Sequence, residues 1–381
     1  MSKTAKWIIG IIVIITIIAG VWYLQKSNNN PAQISPVASS TESVRVGVSV
    51  ALTGPSAFIG DSYLDGINMA QKEINDTGGV NGKKIDLIIE DNQNLAKEGL
   101  DSLNTMLLKN PDMIISTMSV PTVAMSPVVK ATGKPLMVAA VFADIVSKND
   151  NAISFFSRPV DDAEASVQAM TKNKVKKVGV LYLNSEYGKA GFDAFEKKAE
   201  VAGIKIIATE AFMGDVTDFA TPLLKIKGEK PDALYIVAIN SSPIIKSAKL
   251  NKVAIQIYTN LIPVFGSLVY KDPATFTDVY LTAPKVAIEG TPEYESFRAK
   301  AVASGINIEG NSLGYTSVGY DNLKSVAKVF ESPEASRDFV KIFNGLGSWS
   351  GVNGTYDLSS RDVGIALYPV QFKDSKLIEV K

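Results

Sequence analysis

Few residues in this 381-residue sequence could do covalent chemistry. It contains no His and no Cys. That excludes Ser-His-Asp and Cys-His centres, His-ligated metals, Cys zinc or iron–sulfur sites, disulfides and a lipid-modified cysteine. What remains is two pairs of adjacent carboxylates, Glu90-Asp91 and Asp161-Asp162, and one glycine-rich loop, Thr77–Lys84 (TGGVNGKK). Paired carboxylates can run general acid–base catalysis. Their placement instead suits a strand end for the first pair and helix N-terminal charge for the second. A phosphate-cradling loop needs four residues between its glycines and Ser or Thr after its Lys. Here Gly78 and Gly82 enclose Gly79-Val80-Asn81, Lys84 follows Lys83, and the loop follows a helix. It reads as a helix-to-strand turn. A serine hydrolase would lack its His, and no G-x-G-x-x-G opens a helix after a strand. The expectation is a protein that is not an enzyme and needs no metal or cofactor. Phe58, Phe142, Tyr187 and Tyr258 are more telling, because they fall near predicted strand ends.

The elements that must position these residues alternate. Val44–Leu52 reads as a strand that stops at Thr53-Gly54-Pro55. Tyr63–Asn75 has helical apolar spacing, and Ile85–Glu90 is the next strand. Helices over Leu95–Lys109 and Val123–Thr132 flank strands at Met113–Ser116 and Pro135–Val141. The rhythm restarts with strands at Lys177–Leu183, Ile204–Glu210, Ala233–Ile239 and Ile255–Tyr258, interleaved with helices. Repeated β-α-β predicts an α/β protein with parallel sheets covered on both faces. Two such units in series predict two Rossmann-like lobes and a cleft at the carboxyl ends of their strands. Tyr294–Ser304, Tyr315–Phe330 and Pro333–Asn344 read as later helices, and Ile365–Val380 as a terminal hairpin.

Lys3 and Lys6 precede an uncharged run, Trp7–Leu24, inside the 1–24 segment. Residues 7–25 would span ~28 Å as a helix, close to a ~30 Å hydrocarbon core. The run suits an uncleaved transmembrane anchor with a cytoplasmic N-terminus; a cleaved signal peptide is the alternative. Either exports the remainder. Residues 25–43 (QKSNNNPAQISPVASSTES) read as a flexible linker. The 39 basic and 39 acidic residues balance. Only Lys3, Lys6, Lys26 and Glu42 are charged before residue 44, so the body is nearly neutral too. There is no basic footprint for nucleic acid.

Leu52–Gly60 (LTGPSAFIG), Gly66–Gly82 (GINMAQKEINDTGGVNG), Glu90–Gln93 and Lys176–Gly188 (KKVGVLYLNSEYG) carry a family resemblance. So do Asp218–Leu234 and Tyr320–Leu323. They resemble the branched-chain amino-acid-binding, Leu/Ile/Val-binding protein-like family of type I periplasmic binding proteins of ABC transporters. The likeness runs from about Val44 to the C-terminus. It implies lobe 1 from 44–160 and 284–350, lobe 2 from 161–283 and 351–381, and three hinge crossings. These would fall near Pro159–Asp162, Thr282–Pro284 and Ser350–Gly354. It also implies an extracytoplasmic, monomeric protein that captures a small molecule by hinge closure and delivers it to an ABC permease. A ligand-binding sensor ectodomain signalling through a partner is the alternative.

Carried over by position, the resemblance places ligand contacts at Ser119 or Thr122, at Ala143 beside Phe142, and at Tyr187. The full expected site is Phe58, Ile59, Ser119, Thr122, Phe142, Ala143, Tyr187, Asn240 and Asn260. The family's acidic partner for a ligand ammonium falls near Thr277, where no acid stands. A buried ammonium without a counter-charge is costly. The expected ligand is therefore an amino acid or a related, less charged or aromatic solute, held by stacking and hydrogen bonds.

Overall fold

The structure, a computed structural model, describes residues 43–141, 143–254 and 256–380. The anchor and nearly all of the linker expected at 1–43 lie outside them. Among the described residues no helix is long and apolar enough to cross a membrane.

The first half alternates strictly. Strand β1 (Val44–Val50), helix α1 (Ala57–Asp76), β2 (Ile85–Asp91), α2 (Ala96–Leu108), β3 (Met113–Thr117) and α3 (Ser119–Thr132) follow one another. Then come β4 (Leu136–Ala139), α4 (Ala143–Lys148), β5 (Ala152–Phe155) and α5 (Pro159–Lys172). The second half continues with β6 (Lys177–Leu183), α6 (Glu186–Val201), β7 (Lys205–Phe212), α7 (Ala220–Gly228), β8 (Ala233–Val237) and α8 (Ser242–Leu250). Strand β9 (Gln256–Thr259) leads to three one-turn helices, α9 (Ile262–Phe265), α10 (Leu268–Lys271) and α11 (Pro273–Phe276), and then β10 (Val279–Ala283). Helices α12 (Pro292–Ala303), α13 (Gly314–Phe330) and α14 (Ala335–Gly345) precede five short strands. These are β11 (Ser348–Gly351), β12 (Gly354–Asp357), β13 (Asp362–Val363), β14 (Tyr368–Lys373) and β15 (Lys376–Glu379).

Two large sheets result, as the β-α-β rhythm predicts. The first runs β13-β5-β4-β3-β1-β2, all parallel. The second runs β15-β14-β10-β9-β8-β6-β7, parallel from β7 to β10, with β14 and β15 added antiparallel. Side-chain alternation feeds a core on each face. In β3, Met113 and Ile115 face one apolar cluster while Ile114 faces another. In β6, Val178 and Val180 separate from Leu181 in the same way. Both faces are therefore covered by helices, which parallel sheets require.

Strand pairing corrects one expectation. Val363 pairs with Phe155 in the first sheet, so the chain stays there past 350–354 and crosses to β14 only after Val363. Gly364 marks that crossing: a Cβ there would lie 2.6 Å from both Arg158 Nε and Asp161 Oδ2. Arg158 in turn clamps Asp161 with two hydrogen bonds of 2.8 and 2.7 Å.

Helix α1 begins at Ala57, earlier than the apolar period suggests. It packs on α13 at very close range. A Cβ on Gly66 would stand 1.8 Å from Thr316 O, and one on Gly319 2.2 Å from Tyr63 O. The Thr77–Lys84 loop is the turn that its glycines predict. Gly78, Gly79, Asn81 and Gly82 all have positive φ, and Val80 bridges Lys83.

Candidate ligand cleft

Both sheets present the carboxyl ends of their parallel strands to one cavity of about 510 Å³. From the first sheet come Met118, Ser119, Val120 and Val123 after β3, Ala140 and Val141 after β4, and Phe156 after β5. From the second come Leu183 at the end of β6 and Asn184 to Tyr187 after it, Ile239 after β8 and Ile262 after β9. Ile59 on α1 and Tyr315 on α13 complete the wall with Asn94, Ala96, Ala124 and Gly214. The lining is mostly apolar with a few polar groups, the composition of a small-molecule site.

Three of the expected residues stand on this wall. Ile59 is buried on it. Ser119 opens α3, and its hydroxyl donates to Val141 O at 3.0 Å, which ties the β3 and β4 ends together. Tyr187 is in the first turn of α6, behind an N-cap in which Ser185 Oγ accepts from Gly188 N at 3.3 Å. Asn260 is directly behind it: its Nδ2 donates to Tyr187 Oη at 2.6 Å and to Ala238 O at 3.1 Å.

The other expectations fall elsewhere. Phe58 is turned from the wall because adjacent helical residues differ by about 100°. Its ring packs where a Cβ on Gly266 would come within 2.2 Å, with Lys271 Nζ 5.9 Å from its centre. Thr122 is fully buried one turn into α3 and spends its hydroxyl on Met118 O at 2.6 Å and Ser116 Oγ at 2.7 Å. Asn240 is exposed, and its Oδ1 accepts from Ser242 N at 3.2 Å to start α8. Phe142 lies outside the described residues, and Ala143 opens α4. Thr277 precedes β10 at its amino end, the end away from the cavity.

Sequence reading missed Tyr315, Phe156, Ile239, Ile262 and Glu186. The strand-end rule could have found Phe156 and Ile239, each a residue or two past a strand. Tyr315 had no such signal. It joins Phe156 and Phe265 in an edge-to-face cluster with centroids 5.4 to 5.8 Å apart. Phe265 follows a strand of the second sheet yet packs in the core of the first. The cluster thus joins the two sheets beside the cavity.

Tyr187 is held neutral. Burial pushes its hydroxyl well above the usual range, and the carboxylate of Asp162 adds to this. Asp162 is itself buried in the first turn of α5. Burial raises its carboxyl to about 7, against hydrogen bonds from the Thr282 hydroxyl and Leu261 N. No cation pairs with Asp162 among the described residues.

Two α/β units facing one cleft define the class: the chain belongs to the periplasmic binding protein family, whose pattern it matches over residues 43–364. Among individual relatives it is 28% identical over 196 residues to the Leu/Ile/Val-binding protein BraC3 of Rhizobium johnstonii. That match covers 50% of this chain and about half, 53%, of the relative's own length. The fold is that of type I periplasmic binding proteins. The branched-chain amino acid transporter substrate-binding protein LivJ of Streptococcus pneumoniae, solved with isoleucine, superposes with a TM-score of 0.77 at 20% identity. The match covers 88% of this chain and 98% of that one. An ABC transporter solute-binding protein of R. palustris, solved with 4-hydroxybenzoate, gives a TM-score of 0.77 at 17% identity. That match covers 89% of this chain and 96% of that one.

Proposed function

We propose that this chain is the extracytoplasmic solute-binding protein of an ABC-type importer, and that it captures one small organic solute in the cleft. The observation that carries the reading is the 510 Å³ cavity at the carboxyl ends of both sheets, with its largely apolar wall. Its volume suits an amino acid or an aromatic acid, the kinds of molecule bound in the two solved relatives. Capture needs no bond-making, which agrees with a chain lacking His and Cys.

The three strands of chain between the sheets would act as the hinge: 156–162, 282–284 and 364–367. Lobe 1 would then be 44–160 with 284–363, and lobe 2 161–283 with 364–381. Ligand contacts on both lobes would favour a closed state over an open one. Trp7–Leu24 would hold the protein at the outer membrane face beside its permease, as a monomer. Native mass spectrometry of the purified chain, seeking a co-purified small molecule, tests the reading. A thermal-shift screen supports it: ligand at a hundredfold excess over Kd adds about 2.7 kcal/mol.

A further inference from the structure

The adjacent acids Asp161 and Asp162 stand where the first crossing enters α5, and each meets a different neighbour. Asp161, held by Arg158, lies against Gly364 of the third crossing. Asp162 turns inward. Its Oδ1 accepts from the Thr282 hydroxyl, at the end of β10 where the second crossing begins. Its Oδ2 faces Leu261 N at 3.5 Å, between the Asn260 that holds Tyr187 and the wall residue Ile262. One buried carboxyl thus ties the first crossing to the second and to the turn behind the cleft wall.

Nothing nearby compensates its charge. Its charged neighbour along α5 is Asp161, and Arg158 is spent on that acid. From α6 and β8 the groups it acts on are the Tyr187 and Tyr235 hydroxyls, which burial keeps neutral. From β10 and the turn after β9 come two neutral donors, the Thr282 hydroxyl and Leu261 N. Past the second crossing, Lys285 is paired with Glu379 at 2.6 Å. Two neutral donors do not replace the hydration of a carboxylate, so burial holds this group up at about 7.

We propose that Asp162 makes the opening of the cleft proton-dependent: neutral, it favours the buried arrangement seen here, and ionised, it favours parted crossings where water reaches it. This rests on the three-crossing hinge of the solute-binding reading and deepens it. Any arrangement that admits water to the carboxyl returns it toward its ordinary 3.8, so opening and proton binding oppose each other. Acid closes the cleft, and rising pH opens it. With a buried value of about 7 and an open value near 3.8, going from pH 6 to pH 8 raises the open-to-closed ratio about tenfold.

The chain has no Cys, so two introduced ones carry labels without competition. Leu95 and Met213 are exposed, next to Asn94 and Gly214 on opposite walls of the cleft. Spin labels on Leu95→Cys and Met213→Cys in the full chain, dialysed free of small molecules, report cleft width by double electron–electron resonance. The expected result is a long-distance population that grows about tenfold over the short one between pH 6 and pH 8. Adding Asp162→Asn, which cannot ionise, should make the distances independent of pH. Adding Thr282→Val, which removes a donor to the carboxylate, should move the midpoint to higher pH. Equal distances at pH 6 and pH 8, a response that survives Asp162→Asn, or a midpoint that Thr282→Val leaves in place overturns the proposal. Native mass spectrometry decides the solute-binding reading separately, so either can fail while the other stands.

Discussion

Asn260 donates its side-chain amide to the hydroxyl oxygen of Tyr187 at 2.6 Å, joining the loop after β9 to the start of α6. The amide is fixed from both ends. Its nitrogen also bonds Ala238 O at 3.1 Å, and its oxygen accepts from Ile262 N at 3.3 Å. The Tyr187 oxygen is therefore an acceptor already in use. Its own proton has no acceptor among the described residues and can be offered to a ligand.

Tyr187→Phe should weaken ligand binding about tenfold, the value of one well-placed hydrogen bond. It should lower folding stability by only about 1 kcal/mol, because Asn260 keeps its backbone partners. Calorimetric titration with the co-purified ligand, beside a thermal melt, separates the two effects. Unchanged affinity would remove Tyr187 from the site.

Asp162 should make stability depend on pH. Its folded-state value, about 7, lies above the ordinary 3.8, so the folded chain binds this proton more tightly than the unfolded chain does. The carboxyl thus opposes folding increasingly as pH rises from about 4 through 7, by at most ~4 kcal/mol. Asp162→Asn should gain stability relative to wild type between pH 5 and pH 8, read by denaturant titration at each pH (about three units apart). Parallel curves would contradict this.

The α1–α13 contact should tolerate no added atom. Gly66→Ala would drive a methyl into Thr316 O, and a cost of about 3 kcal/mol is expected. Gly345→Ala, where a Cβ meets nothing within 4 Å, should stay within about 1 kcal/mol of wild type. Equal melting temperatures for the two variants would mean that the helices separate easily.

Asp321 is a second buried carboxyl, raised to about 6 by burial despite its donors. It accepts from Val352 N at 2.9 Å, Asn353 N at 3.3 Å and the Tyr356 hydroxyl at 2.6 Å, fastening the β11–β12 hairpin to α13. Asp321→Ala should cost about 3 kcal/mol, because buried donors lose their acceptor. A chemical melt measures it, and a loss below about 0.5 kcal/mol would show that water replaces the carboxylate.

The strand–helix rhythm was legible because its signals are local. β-branched runs such as Val44–Val50 and turns such as Thr77–Gly82 depend on neighbours in sequence. The third crossing was not legible. Asp362-Val363 is too short for a periodic signal, and only its pairing with Ser154-Phe155 reveals which sheet it joins. The site divides the same way. Ile59, Ser119 and Tyr187 sit in motifs just past strand ends. Phe58 misled because one step along a helix turns a side chain off the wall. Thr122 and Asn240 misled because local backbone groups take up their polar atoms. Glu186 was passed over because a first-turn acid needs no ligand to explain it; only the cavity shows it on the wall.

The central claim is that the cleft holds one solute. Ile239→Trp, which fills the cavity from the second sheet, tests it most directly when wild type and variant are compared by native mass spectrometry of the purified chain. The account predicts one small molecule per wild-type chain and none on an equally folded Ile239→Trp. A wild-type chain with no small molecule after screening, or a variant that keeps its ligand, would contradict it.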